Sequence, residues 1–498
     1  MSGGLVLYAL SAAFAAWILF FVYRQLASPL RHIPGPFWTR FTRAWYLYRL
    51  SQGHFEKENI DLHNEFGSIV RIAPGWYSCS GTEAIKKIYG LGSKFTKSDW
   101  LFAGLYSLTS LMSYEPFVNR CIDLFVDRLS EFSQTNEEID LGHWMQCYAF
   151  DVIGCITFGE RLGFLDSGED IEGVIRAVDS IPGFASLSGI YSEWHSLLYK
   201  INSYLTTSGA SGRNFLASFA REKITNHKQQ QQKDLAEKTQ EPDGIGSTIV
   251  NQGEDGTTSR EPFMTKMIRA QLQNPEKVSD YHLIMLARSN MGAGFDTTAI
   301  SLSSIIYHLI KTPRVVQKLR AEFDAARKAG RLSDRVTFHE SQDLPYFQAV
   351  MKEALRMHSA TGLPLWRVVP EGGVELNGVH FPEGTILGIN SWVSHYNKDV
   401  FTNPTEFCPE RWIEQDEAKL KTMNDMYMPF GLGSRTCIGR HISILEMSKL
   451  IPVLVDRFDF VMASSASPSG ESKWETENFW FVKPRNFRVR VYQKGLRD

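Results

Sequence analysis

Cys437 is the residue of this 498-residue chain whose neighbours most clearly suggest chemistry. It lies in the segment FGLGSRTCIG, residues 430–439, where a glycine-rich loop leads into a predicted helix. The amides and the dipole at a helix N-terminus stabilise a thiolate, the form of cysteine that binds metals. A buried, inert cysteine is the competing interpretation. It suits the other five cysteines better: Cys79, Cys121, Cys147, Cys155 and Cys408.

Two other uses of this loop lack the residues that they require. A zinc site built from Cys437 and His441 has no further ligands at suitable spacing. A dinucleotide-binding loop requires GxGxxG, and Gly431-Leu432-Gly433 is not followed by the third glycine. The loop therefore fits neither a zinc protein nor a nucleotide-binding protein.

A second group of polar residues lies in the middle of a long predicted helix, from about residue 279 to 311. The sequence AGFDTT at 293–298 places the carboxylate of Asp296 beside the hydroxyl of Thr297, and these groups can relay protons. Gly294 weakens the helix and allows a locally widened turn. An ordinary helix with a polar patch is the alternative for this segment taken alone.

Residues 430–439 match the cysteine-loop pattern FxxGxRxCxG of cytochrome P450s at every fixed position, and the chain resembles that family from Pro34 to its C-terminus. The resemblance implies that Cys437 is the axial ligand of a haem b iron. Its thiolate would donate electron density that favours O–O cleavage. The resemblance also makes Phe430, Gly433 and Gly439 cofactor-binding positions, since glycine lets the backbone approach the macrocycle closely.

Further residues take roles from the same resemblance. Residues 293–298 match the family's oxygen-activation motif, which makes Asp296 and Thr297 the expected catalytic pair. Arg435 can bind a haem propionate by a charge-assisted hydrogen bond. Arg367 resembles the family's second propionate partner, with a surface arginine on a strand as the competing interpretation. The residues expected to face substrate, with core packing as the alternative, are Met285, Leu286, Asn290, Met291, Leu363, Leu365 and Phe479 to Phe481.

The sequence EALR at 353–356 places opposite charges on one face of a predicted helix. Alone, such a pair would be a weak surface ion pair. In P450s this motif joins an arginine of a later PER segment, here residues 409–411. The resemblance therefore implies a buried structural triad of Glu353, Arg356 and Arg411.

The elements that must position these residues are mainly helical. Helical periodicity recurs in these stretches: 117–132, 144–158, 346–357 and one from near Cys437 through Leu450. Strands are expected at 67–79 about the Pro74-Gly75 turn, at 479–481 and at 487–492. Residues 228–261, with four consecutive glutamines, have the composition of a solvated loop. The fold class is mainly α with a minor β region, and the resemblance makes it the P450 fold.

The N-terminus differs from the rest of the chain. Residues 3–23 carry no charge and are long enough to span a bilayer, so one transmembrane helix is expected. Arginines follow it and none precedes it, which places the body in the cytosol. A secretory signal peptide, the alternative, would have a basic start and a shorter apolar run. With Pro34-Gly35-Pro36 as a hinge, residues 1–33 form the anchor and linker and residues 34–498 the catalytic domain.

The resemblance implies a haem-thiolate monooxygenase that inserts one oxygen atom from O2 into a lipophilic small molecule. Its place would be the endoplasmic reticulum membrane, with the body facing the cytosol. No dinucleotide fingerprint is present, so NADPH would supply electrons through a separate P450 reductase. The chain resembles the fungal, pisatin-demethylase-like microsomal P450s, and this resemblance implies a role in secondary metabolism. A net charge of −2 gives no electrostatic footprint for nucleic acid.

One stretch departs from the family pattern. P450s usually carry a WxxxR motif in a helix that supplies propionate contacts and a basic surface for the electron donor. Here Trp100 is followed by LFAG, and no Lys or Arg occurs between Lys97 and Arg120. A mis-spliced gene, a real deletion or a divergent solution would each explain a missing segment. The alternative function is therefore a haem-binding pseudoenzyme or membrane scaffold.

Overall fold

The computed structural model describes residues 27–96, 114–204, 209–239, 251–252, 258–259, 261–463 and 475–494, and positions 8, 12, 15, 16, 20 and 23. Its α-helices are α1 Ala44–Ser51, α2 Phe55–Phe66, α3 Thr82–Tyr89, α4 Glu115–Thr135, α5 Leu141–Phe158, α6 Phe164–Ser167, α7 Val174–Ile190, α8 His195–Ser203, α9 Gly209–Thr239, α10 Phe263–Gln273, α11 Asp280–Lys311, α12 Pro313–Lys328, α13 Phe338–Gln342, α14 Pro345–Met357, α15 Ser391–His395, α16 Glu417–Met426 and α17 Arg440–Arg457.

The strands are short and form small sheets. They are β1 Ile69–Ala73, β2 Trp76–Cys79, β3 Glu138–Asp140, β4 Asn251–Gln252, β5 Thr258–Ser259, β6 Arg367–Val368, β7 Val374–Leu376, β8 Val379–Phe381, β9 Ile386–Gly388, β10 Phe458–Met462, β11 Glu475–Asn478, β12 Val482–Arg485 and β13 Arg488–Gln493. The largest sheet has the order β1-β2-β9-β6, and another has the order β10-β13-β3. The predicted class, mainly α with a minor β region, is confirmed.

The long helix α11 forms where the sequence predicts it. Ser279 opens it in a capping box with His282, and Thr312 follows its last residue. Most of its second half is buried, and it packs against α5, where the rings of Phe150 and Phe295 stack with centroids 3.6 Å apart. The helix continues without interruption through Gly294. A Cβ at that glycine would lie 3.2 Å from Ile153 of α5, so Gly294 serves close packing of the two helices.

The expected loop at 228–261 is partly wrong. Its first part, through Thr239, continues helix α9, and the four glutamines are helical. Gln and Lys are good helix formers, and the earlier turns of α9 are fixed by buried apolar side chains such as Phe219 and Ile224. Contacts on α10 hold the polar turns as well, because His227 and Gln231 each bond Thr265 at 2.9 Å. Residues 240–250, 253–257 and 260 lie outside the described part.

The expected strand at 479–481 is also wrong, whereas the strand at 487–492 is confirmed as β13. Strands β11 and β12 pair directly across residues 479–481, which form the connection between them. Trp480 has a φ of 114°, a value that no regular strand adopts. Aromatic residues favour strands, but here they lie at a turn beside a cavity.

The N-terminal segment contacts the body before residue 34. Leu30 and Ile33 are buried, and the carbonyl of Pro34 accepts a 2.8 Å bond from the amide of Arg71 in β1. The expected boundary after residue 33 therefore cuts through packed residues. The transmembrane helix expected at 3–23 falls outside the described residues apart from the six isolated positions. Within the described residues, no helix combines the length and apolar character needed to cross a membrane.

Candidate active site

The cysteine loop is a tight turn held by its own backbone. The amide of Cys437 donates to the carbonyl of Phe430 at 2.7 Å, and the hydroxyl of Thr436 reaches the same oxygen at 3.2 Å. Helix α17 starts three residues later, with Gly439 as its cap. The Cys437 side chain is exposed, whereas the other cysteines are buried or half-buried. The inert, buried cysteine is therefore a poor description of Cys437.

The two glycines of the loop differ in what surrounds them. A Cβ at Gly439 would have no atom of the described residues within 4 Å, so this face of the loop is open to a flat group such as a macrocycle. Gly433 has a φ of +64°, and a Cβ there would overlap the carbonyl oxygen of Tyr89. Glycine at 433 is therefore required by the close approach of the Tyr89 main chain, and its role as a cofactor-binding position stays a prediction.

Arg367 is the candidate partner for an acidic group beside the loop. Its side chain is buried, with 6% of the residue exposed, so it is not the surface arginine of the competing interpretation. It donates to the carbonyls of Trp366 at 2.8 Å and Leu365 at 3.3 Å, and it lies 5.0 Å from the ring centre of Tyr89. Burial lowers the pKa of Arg367, and the charge of Arg435 lowers it further.

Neighbouring cations of this kind attract carboxylates. No acidic side chain of the described residues forms an ion pair with Arg367. Arg435 is close enough for its charge to affect Arg367, although its own side chain is exposed. An open cysteine face beside two guanidinium groups fits a flat, iron-containing group with carboxylate arms, which is the chemistry of haem b.

A side-chain hydrogen bond joins the motif at 293–298 on α11 to helix α17, which follows the cysteine loop. The hydroxyl of Thr298 on α11 lies 2.6 Å from that of Ser443 on α17, one turn after the cysteine loop. Thr297, the predicted catalytic residue, is half-buried, and its hydroxyl donates to the carbonyl of Ala293 at 2.9 Å. The structure therefore brings the two sequence motifs to adjoining elements.

Asp296 lies in a buried charge network that the sequence did not indicate. Its carboxylate is 2.5 Å from the ammonium of Lys483 in β12 and accepts a 2.8 Å bond from Gln146 on α5. Lys483 also forms an ion pair with Asp179 of α7. Burial raises the pKa of Asp296, and the charge of Lys483 opposes that effect. At rest, this carboxylate is held by protein partners.

The predicted triad is present. Glu353 accepts two 2.9 Å bonds from Arg356 and a 2.8 Å bond from Arg411, and all three side chains are buried. The same carboxylate accepts bonds from two further donors that were not predicted: the indole of Trp412 at 2.9 Å and the amide of Cys408 at 3.2 Å. The PERW segment carried this signal, because a buried Trp N–H requires an acceptor.

A cavity of about 640 Å³ adjoins α11 next to the motif at 293–298. Of the residues expected to face substrate, it is lined by Met285, Leu363, Trp480 and Phe481. The others lie outside its lining, and Leu286, Met291 and Asn290 are buried in the core instead. The volume suits a small organic molecule. The cavity and the two motifs therefore form one candidate active site.

The departure from the family pattern at Trp100 lies outside the described residues, which omit 97–113. The described residues contain no cluster of three or more His, Cys, Asp or Glu side chains that could hold a metal ion. Cys437 is thus the candidate metal ligand that the described part of the chain offers.

Comparisons with known proteins agree with this geometry. The family model for cytochrome P450 matches residues 101–487. Pisatin demethylase from Fusarium vanettenii is 35% identical, over 94% of this chain and 90% of its own length. The cytochrome P450 monooxygenases gsfF of Penicillium aethiopicum and cicH of Emericella nidulans are 31% and 33% identical, over 100% and 96% of this chain and 99% and 97% of their own lengths.

Proposed function

The chain belongs to the cytochrome P450 family and is a monooxygenase, and from that premise we propose that it inserts one oxygen atom of O2 into a lipophilic small molecule bound in the cavity beside α11. The observation that carries this proposal is the meeting of three features. Trp366, next to buried Arg367, lines the apolar cavity. Arg367 lies within reach of the charge of Arg435 in the cysteine loop, and α11 is bonded to the helix that follows exposed Cys437.

The family implies haem iron as the cofactor, and the residues present fit it. When bound, the haem would supply the activation of O2 and the transfer of one oxygen atom. Cys437 would hold its iron through the thiolate, with Phe430 and Gly439 shaping the loop around it. Arg367 and Arg435 would bind the propionates, since buried carboxylates require cationic partners.

Protons would reach the site through Thr297 and Asp296. The hydroxyl of Thr297 can turn from the Ala293 carbonyl toward the cavity and donate a proton there. Asp296 can exchange protons with solvent if its ion pair with Lys483 opens transiently. These two residues are the proposed catalytic pair, and Lys483 holds the carboxylate between turnovers.

The chain would also require an electron donor and a membrane location. Electrons would come from NADPH through a separate P450 reductase, because the chain has no dinucleotide fingerprint of its own. The uncharged stretch at 3–23 supports a single-pass anchor in the endoplasmic reticulum membrane, with the catalytic domain in the cytosol. The pseudoenzyme alternative gains no support, since the relatives that match nearly the whole chain are named demethylases and monooxygenases.

The relatives also guide the choice of substrate class. One relative is named for the demethylation of pisatin, and others are named as fungal P450 monooxygenases. We propose that this chain likewise acts in secondary metabolism. The apolar lining of the cavity supports a lipophilic substrate, because burial of apolar surface is the main source of affinity in such a site.

Replacement of Cys437 by serine tests the proposed function. The wild-type protein, reduced and exposed to carbon monoxide, should show the red-shifted Soret band of a thiolate-ligated haem, and C437S should lose it. The control is C408S, because Cys408 is half-buried and contacts Glu410 rather than the candidate site. Loss of the band in C408S, or a wild-type band in C437S, would remove Cys437 from the role of iron ligand.

A further inference from the structure

The cavity carries positive charge as well as apolar walls. Most of the side chains that line it are apolar, but Arg288 of α11 and Arg213 of α9 line it too. Among the described residues, no carboxylate forms an ion pair with either of these arginines. By contrast, buried Lys483 and Lys449 are paired with acidic residues.

Arg288 has unused hydrogen-bonding capacity. Its Nε is shielded from solvent and has no hydrogen-bond partner among the described residues. The nearest polarisable contact of its guanidinium is the sulfur of Met285 at 3.9 Å, which is a weak acceptor. The charged guanidinium lines the apolar cavity without a carboxylate partner among the described residues, so a ligand that supplies an anionic oxygen would gain affinity there.

We propose that the substrate is an amphipathic acid, an apolar body bearing a carboxylate that Arg288 and Arg213 bind within the cavity. This inference rests on the proposed monooxygenase function and names the substrate class for that site. The planar guanidinium fork binds a carboxylate through two parallel hydrogen bonds. A neutral lipophilic molecule of the same size would leave both charges unpaired.

The positions on α11 also set the distance between the acid and the oxidised carbon. Arg288 and Thr297 are nine residues apart on one continuous helix, which corresponds to about 13–14 Å along the axis. Ala293, which also lines the cavity, is about 7–8 Å from Arg288 by the same measure. Oxidation should therefore occur on a carbon remote from the carboxylate, at a separation of roughly 8–14 Å.

Binding of a matched pair of probes tests the inference. Dodecanoate and 1-dodecanol have the same chain length and differ in charge, and their dissociation constants for the full-length, haem-loaded protein can be measured by calorimetry. Dodecanoate should bind at least about tenfold more tightly, as a charge-assisted hydrogen bond in a dry site predicts. R288M should lose this preference while its affinity for 1-dodecanol changes less than about twofold.

R288K and R213M keep the test decisive if R288M folds poorly. R288K should retain part of the preference, because the charge stays and the fork is lost, and R213M should reduce it. The control is R176M, since the Arg176 side chain is 86% exposed and lies outside the cavity lining. Equal affinity for the two probes, or a preference that survives R288M or both R288K and R213M unchanged, would overturn the inference.

The two proposals fail in different ways. A wild-type protein without the carbon monoxide band would overturn the proposed function, yet calorimetry would still report whether the cavity prefers an acid. A protein with the band and no preference for dodecanoate would retain the function and lose the substrate class.

Discussion

At the scale of single residues, the neighbouring threonines Thr297 and Thr298 on α11 have different roles. Among the described residues, the hydroxyl of Thr297 bonds its own helix, at Ala293, whereas that of Thr298 links α11 to Ser443 of α17. One is therefore available to move toward the cavity, and the other holds two helices together. The family resemblance singled out Thr297, but the bond from Thr298 to Ser443 joins distant segments and was not predicted from the sequence.

Replacement of Thr297 by alanine should uncouple electron use from product formation. Without the hydroxyl, proton delivery should fall by about a hundredfold, the usual contribution of a positioned acid or base. NADPH consumption should continue, with hydrogen peroxide released in place of product. The measurement is product formed per NADPH consumed, at normal haem content.

The matched control is T298A. It should keep the wild-type ratio and lose stability by about 1 kcal/mol, since it breaks a buried hydrogen bond. T297S should restore most of the coupling. A wild-type ratio in T297A, or an equal loss in T298A, would show that the Thr297 hydroxyl is not the proton donor.

The buried carboxyl group of Glu446 on α17 should make the stability of the fold depend on pH. Both of its carboxyl oxygens are buried without a hydrogen-bond partner among the described residues, and burial raises its pKa well above the usual value. Since the folded pKa is raised, the folded state binds a proton that the unfolded state releases above about pH 4.3. Stability should therefore fall as the pH rises from that value toward the folded pKa.

The variant E446Q should be insensitive to this effect, because an amide stays neutral. Its urea midpoint should exceed that of the wild type by an amount that grows between pH 5 and pH 8. The difference in unfolding free energy between the two proteins can grow by at most about 1.4 kcal/mol per pH unit for one group. E276Q, at an exposed position, serves as the control. A constant difference across this pH range would mean that Glu446 does not titrate between the folded and unfolded states.

At the scale of elements, the triad fixes helix α14 to the PERW segment. The carboxylate of Glu353 lies between two buried guanidinium groups, those of Arg356 and Arg411. E353Q should lower stability by about 3–5 kcal/mol, because it leaves buried charge without compensation. The control is D123N, which breaks an exposed ion pair with Arg335 and should cost no more than about 1 kcal/mol. Equal urea midpoints for the two variants would contradict this account.

Elements with strong local signals were predicted well. Helix α11 starts within one residue of the predicted position, since Ser279 caps it and Pro313 opens the next helix. The polar end of α9 and the turn at 479–481 were mispredicted, because tertiary contacts override composition there. In the candidate site, the sequence patterns identified Cys437 and the polar segment of α11. The ion pair of Asp296 with Lys483 joins distant segments without any periodic pattern, so only the fold shows it.

At the scale of the whole molecule, the placement of the N-terminal segment decides where an anchor can be removed. Leu30 is 5% exposed and Ile33 is 2% exposed, and both belong to the core cluster around β1, β2 and α3. The guanidinium of buried Arg71 also donates to the carbonyl of Leu30 and, at 3.5 Å, to that of Ile33. Residues 30–33 thus form part of the folded body.

Two truncations should therefore behave differently. Removal of residues 1–26 should release the protein from membranes with its stability intact, because the uncharged stretch is gone and the packed residues remain. Removal of residues 1–33 should release it too, but with stability lowered by several kcal/mol. Each lost apolar side chain contributes about 1.5–3 kcal/mol, and Arg71 also loses two acceptors.

The measurements are carbonate-washed membrane fractionation and thermal unfolding of both truncated proteins beside the full chain. If both remain in the membrane pellet, a surface of the body anchors the protein and the stretch at 3–23 is dispensable for attachment. If both are released and unfold at the same temperature, Leu30 and Ile33 add nothing to the fold. Release of both with a lower midpoint for the shorter protein would place the junction between anchor and body before residue 30. Membrane attachment and catalytic fold would then be separate properties of the chain, divided several residues earlier than the proline-rich hinge suggests.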